Sequence, residues 1–321
     1  MNANARDIAA TGGACRVHRF GPPSVIVLEE IRIAPPGEGE VLVRIAAAGV
    51  GPWDAWIRQG HSALPQPLPL TLGSDLSGVV AAVGPGVTGF STGDRVFGVT
   101  NEQFTGAYAD YAIAVADMIA RTPADLGHIE AAAVPVVATT AWQALFDEAR
   151  LERGQTVLVL GAAGSVGAFA VQLGRWAGVR VVATGRADDQ SLLRGLGADQ
   201  TIDLDATRFE AAVEGVDAVI DLVGGDLQAR SFTLLRRGGR LVSAVSAPDQ
   251  PRAAERGVVA GFFLVDVTTE RLARIGAMIA NGALRVAVGE VLPLRSARLA
   301  HEMLEGARPR PRGKIVLRVA D

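Results

Sequence analysis

The spacing of apolar positions changes character twice along the chain. Residues 1–14 are small and polar without periodicity and are expected to form a loose arm. From Cys15 to Ala48 the text is strand-like, with runs at Val25–Leu28 and Val41–Ala46 parted by the turn-rich PPGEGE. After the proline-rich LPQPLPL, residues 73–96 alternate short apolar runs with glycines at turn positions, and a further strand is expected at Tyr108–Val115. Tyr108 and Tyr111 would then face opposite sides of that strand. Short strands with tight turns predict a partly closed barrel.

From about Leu126 the rhythm becomes an alternation of helices and buried strands. A helix pair interrupted near Pro135 is expected over Glu130–Ala149. TVLVL, VRVVAT, QTIDL, DAVIDLV and RLVSAV then read as strands, separated by helices at Ser165–Trp176, Asp189–Leu196, around Glu210 and at Gln228–Leu235. Continuous apolar strands such as Val157–Leu160 are those of a parallel sheet covered on both faces. Val258–Val265 adds an edge strand and Glu270–Asn281 a helix, and from Val286 the text returns to strand, ending in KIVLRV. The expected fold is α/β: a barrel domain over 1–125 and 284–321, and a doubly wound parallel-sheet domain over 126–283.

Composition narrows the chemistry. A chain of 321 residues with 49% hydrophobic and 20% charged residues is globular and suits two domains. A net charge of −3 argues against a surface that neutralises nucleic acid phosphates. The single cysteine, Cys15, excludes an intramolecular disulfide and any zinc site made of several thiolates, and fits a reducing, cytoplasmic compartment. No apolar stretch approaches the ~18 residues of a membrane span, and residues 1–14 lack the pattern of a signal peptide. Lys314 is the only lysine among 31 basic residues, which sets Schiff-base chemistry aside.

The most informative string is TVLVLGAAGSVG, a strand running into a glycine-rich turn and a helix. Gly161 permits the tight exit from the strand, Gly164 lets backbone approach a pyrophosphate, and Gly167 lets the helix pack on the strand. Ser165 and Val166 open the helix, whose free amides suit phosphate. The spacing is G-x-x-G-x-x-G, with Ala162 where the common form has glycine. A dinucleotide is therefore expected. Roughly 20 residues on, where NAD binders place an acid, the strand ends in Ala183, Thr184, Gly185 and Arg186. Arg186 can fork onto a 2′-phosphate and Thr184 can add a hydroxyl donor, so NADPH is preferred over NADH. Asp188 or Asp189 could face the ribose instead, although an Asp before an apolar helix more often caps it.

Beyond this point the chain resembles the medium-chain dehydrogenase/reductases, specifically the zinc-free quinone oxidoreductase branch. The markers are GPWDAWIRQG (51–60), GSDLSGVVAAVGPGV (73–87), GDRVFG (93–98), GAYADY (106–111), TTAWQAL (139–145), GAAGSVG (161–167), LGADQTID (196–203), RRGGRLV (236–242) and RGKIVL (312–317). The resemblance covers nearly everything after Cys15. It implies a GroES-like barrel closed by the C-terminal tail, a Rossmann domain inserted between the barrel segments, and a substrate cleft between the domains. It also implies nicotinamide contact by Thr140 and cofactor contact by Val223. Thr139 and Thr140 could instead be ordinary helix residues bonding back to carbonyls. A homodimer built through Val258–Val265 is implied as well.

Zinc-dependent relatives hold a catalytic metal at positions matched here by Gly51, Ser74 and Val136, so the resemblance implies no zinc. His18, His61, His128 and His301 show no ligand spacing. Without a Lewis acid, ordinary alcohols and ketones are poor substrates. A quinone or α,β-unsaturated carbonyl spreads the charge that hydride brings and suits better. Zinc-free relatives often have Asn where Gly51 stands and Tyr where Trp56 stands, whereas Asp54, Arg58 and Gly60 are kept. Trp53 and Trp56 either wall the site for a flat substrate or pack between barrel and loop. Asp54 orients neighbours, closes a turn or pairs with Arg58. Of Arg308, Arg310, Arg312 and Lys314, one could reach a cofactor phosphate, although a solvated basic face is favoured. Two alternatives stand beside NADPH-dependent reduction of a conjugated acceptor: an enoyl reductase acting on an acyl or polyketide-like thioester, and a non-catalytic NADPH sensor or scaffold.

Overall fold

The computed structural model describes residues 11–320. The chain divides into two compact units, one made of residues up to Val136 and from Val267 onward, the other of Val137–Asp266. These boundaries lie inside the expected ones at 126 and 283. The helix spanning Glu270–Asn281 in the expectation therefore belongs with the barrel: the Thr269 hydroxyl donates to the carbonyls of Ala116 and Ile119 at 3.1 and 2.6 Å.

The first unit opens with strands β1 (Thr11–Val17), β2 (Val27–Arg32), β3 (Glu40–Val50), β4 (Leu70–Thr71), β5 (Asp75–Val83), β6 (Arg95–Val99), β7 (Tyr111–Val115) and β8 (Ile119–Arg121), and helices α1 (Pro52–Gln59) and α2 (His128–Ala132). Of the expected N-terminal arm, residues 1–10 lie outside the described residues. Thr11–Ala14 are strand, paired antiparallel with Glu29–Arg32. Glycines at 12 and 13 hide the strand signal, because period-2 alternation needs side chains to display it. The expected strand at Tyr108 begins instead at Tyr111. Tyr108 bridges earlier, its N–H donating to Leu72 and its carbonyl accepting from Cys15, both at 2.8 Å.

Helix α3 (Pro135–Trp142) crosses the boundary and continues as a π-helical turn over Gln143–Glu148. The second unit then runs β9 (Thr156–Leu160), α4 (Ser165–Ala177), β10 (Arg180–Gly185), α5 (Gln190–Leu196), β11 (Gln200–Asp203), β12 (Val216–Asp221), α6 (Gly225–Ser231), β13 (Leu235–Ser243), α7 (Gln250–Arg256) and β14 (Val259–Phe262). All six strands are parallel in the order β11-β10-β9-β12-β13-β14. Chain order reverses beside β9, the switch point at which ligands meet sheets of this kind. Val157, Leu158, Val159 and Leu160 are all fully buried, as strands covered by helices on both faces must be. The helix expected around Glu210 is a single 3-10 turn, Phe209–Ala211.

The chain returns to the first unit with α8 (Thr269–Ala280), β15 (Val288–Pro293), α9 (Ala297–Leu304) and β16 (Lys314–Arg318). Helix α9, within text read as strand, buries Ala297, Ala300 and Met303 on one face. β16 lies between β15 and the C-terminal half of β3, β7 pairs with the N-terminal half of β3, and β5 pairs along it from Val41 to Ala48. The seven-stranded sheet that results wraps Val43, Ile45, Leu76, Val96, Ile119, Ile315 and Leu317 into one core. Among the described residues, no helix is long and apolar enough to cross a membrane.

Leu158 sits at the centre of the parallel sheet with no exposed surface. Leu158→Ala is expected to lower unfolding stability by about 2–5 kcal/mol through a cavity that the flanking strands cannot collapse into. A shift in the urea midpoint at unchanged m-value checks this.

Candidate active site

In the second unit, β9 delivers the chain into the turn 161–164. Gly161 has φ +76°, and a Cβ there would lie 2.9 Å from Cγ2 of Val223, so glycine is required both by the backbone and by the side chain opposite. A Cβ on Gly167 would lie 2.3 Å from the Gly161 carbonyl, which is the close helix–strand approach expected of that position. Gly164 caps α4 and accepts from Ala168 N at 2.8 Å. The amides of Ser165, Val166 and Gly167 therefore begin the helix without intrahelical acceptors.

A residue that the sequence reading passed over organises the neighbouring loops. Asp221, fully buried at the end of β12, accepts from Val223 N (3.1 Å), Gly224 N (2.8 Å), Gln228 Nε2 (2.8 Å) and Ser243 Oγ (2.8 Å). Ser243 Oγ in turn accepts from Val245 N and Ser246 N, both at 3.2 Å. One carboxylate thus shapes the turns after both β12 and β13, and holds Val223 with 46% of its surface exposed beside Gly161. The signal was a lone Asp closing an apolar strand, DAVID, ahead of a Gly-Gly turn.

At the end of β10, Arg186 is exposed, and its guanidinium has no ion-pair partner among the described residues. Asp189 does not cap α5 with its side chain as expected: its carboxylate accepts from Arg186 N at 2.9 Å, three residues back, and closes the 3-10 turn over Ala187–Asp189. Thr184 does not behave as expected. It is fully buried, and its hydroxyl donates to the Val159 carbonyl at 3.2 Å, so that donor is turned into the sheet. Thr140 lies in α3 with 6% exposure.

In the first unit, α1 places Asp54 at its third position. Oδ2 accepts from Gly51 N at 2.8 Å and from the Tyr108 hydroxyl at 3.0 Å, while Oδ1 is buried without a hydrogen-bond partner. Burial pushes this carboxyl up to about 7, against the lowering pull of the Gly51 amide. Asp54 does close a turn, but it does not pair with Arg58. Arg58, fully buried, donates to Gly21 O (2.9 Å), His301 Nδ1 (2.9 Å) and Glu305. Because a guanidinium only donates, His301 Nδ1 must accept. Burial, with the adjacent guanidinium, holds that imidazole down at about 3.

The two tryptophans of α1 part company. Trp56 is 45% exposed and makes no ring contact with another described aromatic or cation. Trp53 is half-buried, donating from Nε1 to Ser74 Oγ at 2.9 Å, with Lys314 Nζ 4.2 Å from its ring centroid. Lys314 is itself buried and pairs with Asp75 at 2.8 Å. Asp75 also accepts from Val136 N at 3.0 Å. The lysine thus belongs to the barrel interior, whereas Arg308 and Arg310 remain exposed.

Gly51, Ser74 and Val136 therefore converge on one cluster, and its donors do not fit a metal. Gly51 offers no side chain, Val136 gives only an amide already used, and Ser74 Oγ accepts from the indole. The nearby carboxyl, Asp75, is already committed to the Lys314 ammonium and the Val136 amide, and that ammonium repels a dication. Among the described residues, no three His, Cys, Asp or Glu side chains are grouped as ligands.

A barrel holding this cluster and a sheet with a glycine turn at its switch point are the two parts of an oxidoreductase. Residues 37–124 match the family model described as alcohol dehydrogenase GroES-like domain, and residues 196–317 match that described as zinc-binding dehydrogenase. The pig quinone oxidoreductase is 32% identical over 321 aligned residues, covering 95% of this chain and 97% of that protein. The structure of the quinone oxidoreductase from Coxiella burnetii superposes with a TM-score of 0.89 at 32% identity, over 96% of this chain and 99% of that one. That of the Escherichia coli quinone oxidoreductase complexed with NADPH gives 0.85 at 28%, over 95% and 99%. The chain belongs to the medium-chain dehydrogenase/reductase superfamily, in its quinone oxidoreductase branch.

The two buried titratable groups pull stability in opposite directions with pH. Between about pH 4 and 7 the folded protein holds an Asp54 proton that the unfolded chain, with its carboxyl near 3.8, has released. The stability due to Asp54 is therefore lost as pH rises through about 7. His301, ordinarily near 6.5, refuses below that pH a proton that the unfolded chain takes up, so its contribution is lost as pH falls toward about 3. Asp54→Asn should gain on the wild type as pH rises from 4 to 7, and His301→Gln should gain on it as pH falls from 6.5. Urea midpoints across pH 4–8 check both, and curves parallel to the wild type would refute the assignments.

Proposed function

We propose that the protein is an NADPH-dependent reductase that delivers hydride to a quinone or other conjugated carbonyl acceptor without a metal. The observation that carries this reading is the cluster around Trp53. In a chain with a glycine-rich dinucleotide turn, the positions at which zinc-dependent relatives hold their metal are surrounded by an indole, a hydroxyl and a lysine ion pair. Such a site has nothing to lower the pKa of an alcohol or to polarise a simple ketone. An acceptor that delocalises incoming charge needs only placement and hydrogen bonding. The NADPH found in the Escherichia coli relative supports the choice of cofactor.

The amides of Ser165, Val166 and Gly167 receive the pyrophosphate, with Gly161 and Gly164 giving it room. Arg186 clamps the 2′-phosphate through its planar fork. Thr140 and Val223 border the nicotinamide half, Val223 being held there by Asp221. When bound, the dinucleotide supplies the hydride. Trp53, Asp54 and Trp56 belong to the acceptor side, where Asp54 fixes the start of α1 through the Gly51 amide. We also propose a homodimer formed through β14, an outer strand whose Val259 and Phe262, with Leu264 just beyond, are exposed.

NADPH oxidation followed at 340 nm should proceed with ortho-quinones, para-quinones or enones, be indifferent to a chelator, and be slow with simple aldehydes. Arg186→Ser should cut kcat/KM for NADPH by roughly tenfold or more, since a charge-assisted pair is lost, while leaving NADH little changed. Silence across the panel despite tight NADPH binding would favour a sensor or an acyl thioester substrate. Phe262→Lys should convert a dimer to monomer in sedimentation velocity, and an unchanged sedimentation coefficient would refute the β14 interface.

A further inference from the structure

Resting on that reading, we infer that Trp53 sets acceptor selectivity, making the enzyme prefer planar ring acceptors to open-chain ones. The indole occupies the room of a missing side chain: an ideal Cβ on Gly51 would lie 2.3 Å from both Cη2 and Cζ2 of Trp53. Gly51 itself has φ −132°, a conformation open to any residue, so the backbone does not require glycine there. Glycine is present because the ring is. The ring is also fixed in place. Its Nε1 is tied to Ser74, and the ammonium that Asp75 holds rests 4.2 Å from its centroid.

The two anchors suit different jobs. Ser74 sets the rotation of the ring, and the cation engages its π-system. With Lys314 buried, the indole, itself only partly buried, is a preorganised flat ring at the point where the Gly51, Ser74 and Val136 positions meet. A ring acceptor gains an offset-stacked contact on such a plate. An open-chain enone has no ring to stack and gains little beyond the shared carbonyl interactions. Because the plate does not reorder on binding, the contact retains most of its worth. Trp56, exposed and unclamped one turn along α1, lacks these properties and is not assigned this role.

The test compares kcat/KM for 1,4-naphthoquinone and for 3-buten-2-one at saturating NADPH in five proteins: wild type, Trp53→Ala, Trp53→Phe, Gly51→Ala and the double variant Gly51→Ala/Trp53→Ala. The wild type should favour the naphthoquinone. Trp53→Ala should lower the ratio of the two constants by about tenfold, with the enone changed by less than threefold. Trp53→Phe, which keeps a ring, should retain most of the ratio. Gly51→Ala should displace the indole and lower the ratio like Trp53→Ala, and adding it to Trp53→Ala should lower the ratio no further. That non-additivity is a readout which a merely structural role would not produce.

A ratio unmoved within twofold in Trp53→Ala, or equal losses for both acceptors, would overturn the proposal. So would a Gly51→Ala effect that adds to that of Trp53→Ala. If Trp53→Ala does not fold, Trp53→Leu and Gly51→Ala decide the matter by the same ratio. Absence of NADPH oxidation by the wild type with either acceptor would instead overturn the parent reading, and this one with it.

Discussion

The buried pair of Lys314 and Asp75 is the interaction on which the barrel and its cluster most depend. It joins β16 to the start of β5, and through the Val136 amide it also fixes the entry to α3. Beyond each other, Nζ and Oδ2 have no hydrogen-bond partner, so each charge relies on its opposite. Desolvating two ions costs several kcal/mol, and their attraction at 2.8 Å offsets that only while both are present. Removing one would strand the other at a cost of about 3–5 kcal/mol. The chain keeps its single lysine here, and the same ammonium holds Trp53. The barrel fold and the Trp53 cluster therefore share one electrostatic constraint.

Three buried carboxylates illustrate three ways of living without water. Asp75 sits beside a cation, although burial pushes its carboxyl above the usual range against the pull of Lys314. Asp221 lies among four donors, two of them backbone amides, and spends its lone pairs on shaping two loops. Asp54 has two donors on one oxygen and none on the other, and so retains its proton to about neutral pH. Burial is common to all of them. The supply of donors and countercharge decides which forms an ion pair, which a scaffold and which a titrating group.

Much of the architecture could be read from the sequence because it is written in local pattern. Apolar runs of strand length, a glycine turn between strand and helix, and the recurrence of βα units all lie within short windows. Elements whose signal is local but sparse were missed. Thr11–Ala14 pairs as strand through two glycines, and α9 is a short helix among strand-like residues. The site was less legible because its polar contacts are long-range. That Thr184 turns inward depends on the Val159 carbonyl of the neighbouring strand. That Lys314 is interior depends on Asp75 near the other end of the chain. That Trp53 fills the space beside Gly51 depends on a rotamer, which no spacing encodes.

The position of β16 has a consequence for how the molecule is made. This strand lies between β15 and β3, and it brings in the lysine that Asp75 requires, yet it follows the whole inserted sheet unit in the chain. During synthesis β3 and β5 emerge early and must wait with one edge open and one carboxylate unpaired, while residues 137–266, contiguous in sequence, can assemble as a unit. Completion of the barrel is therefore a late event, and the exposed edge of β3 is the surface that a nascent chain most needs shielded until its last strand arrives.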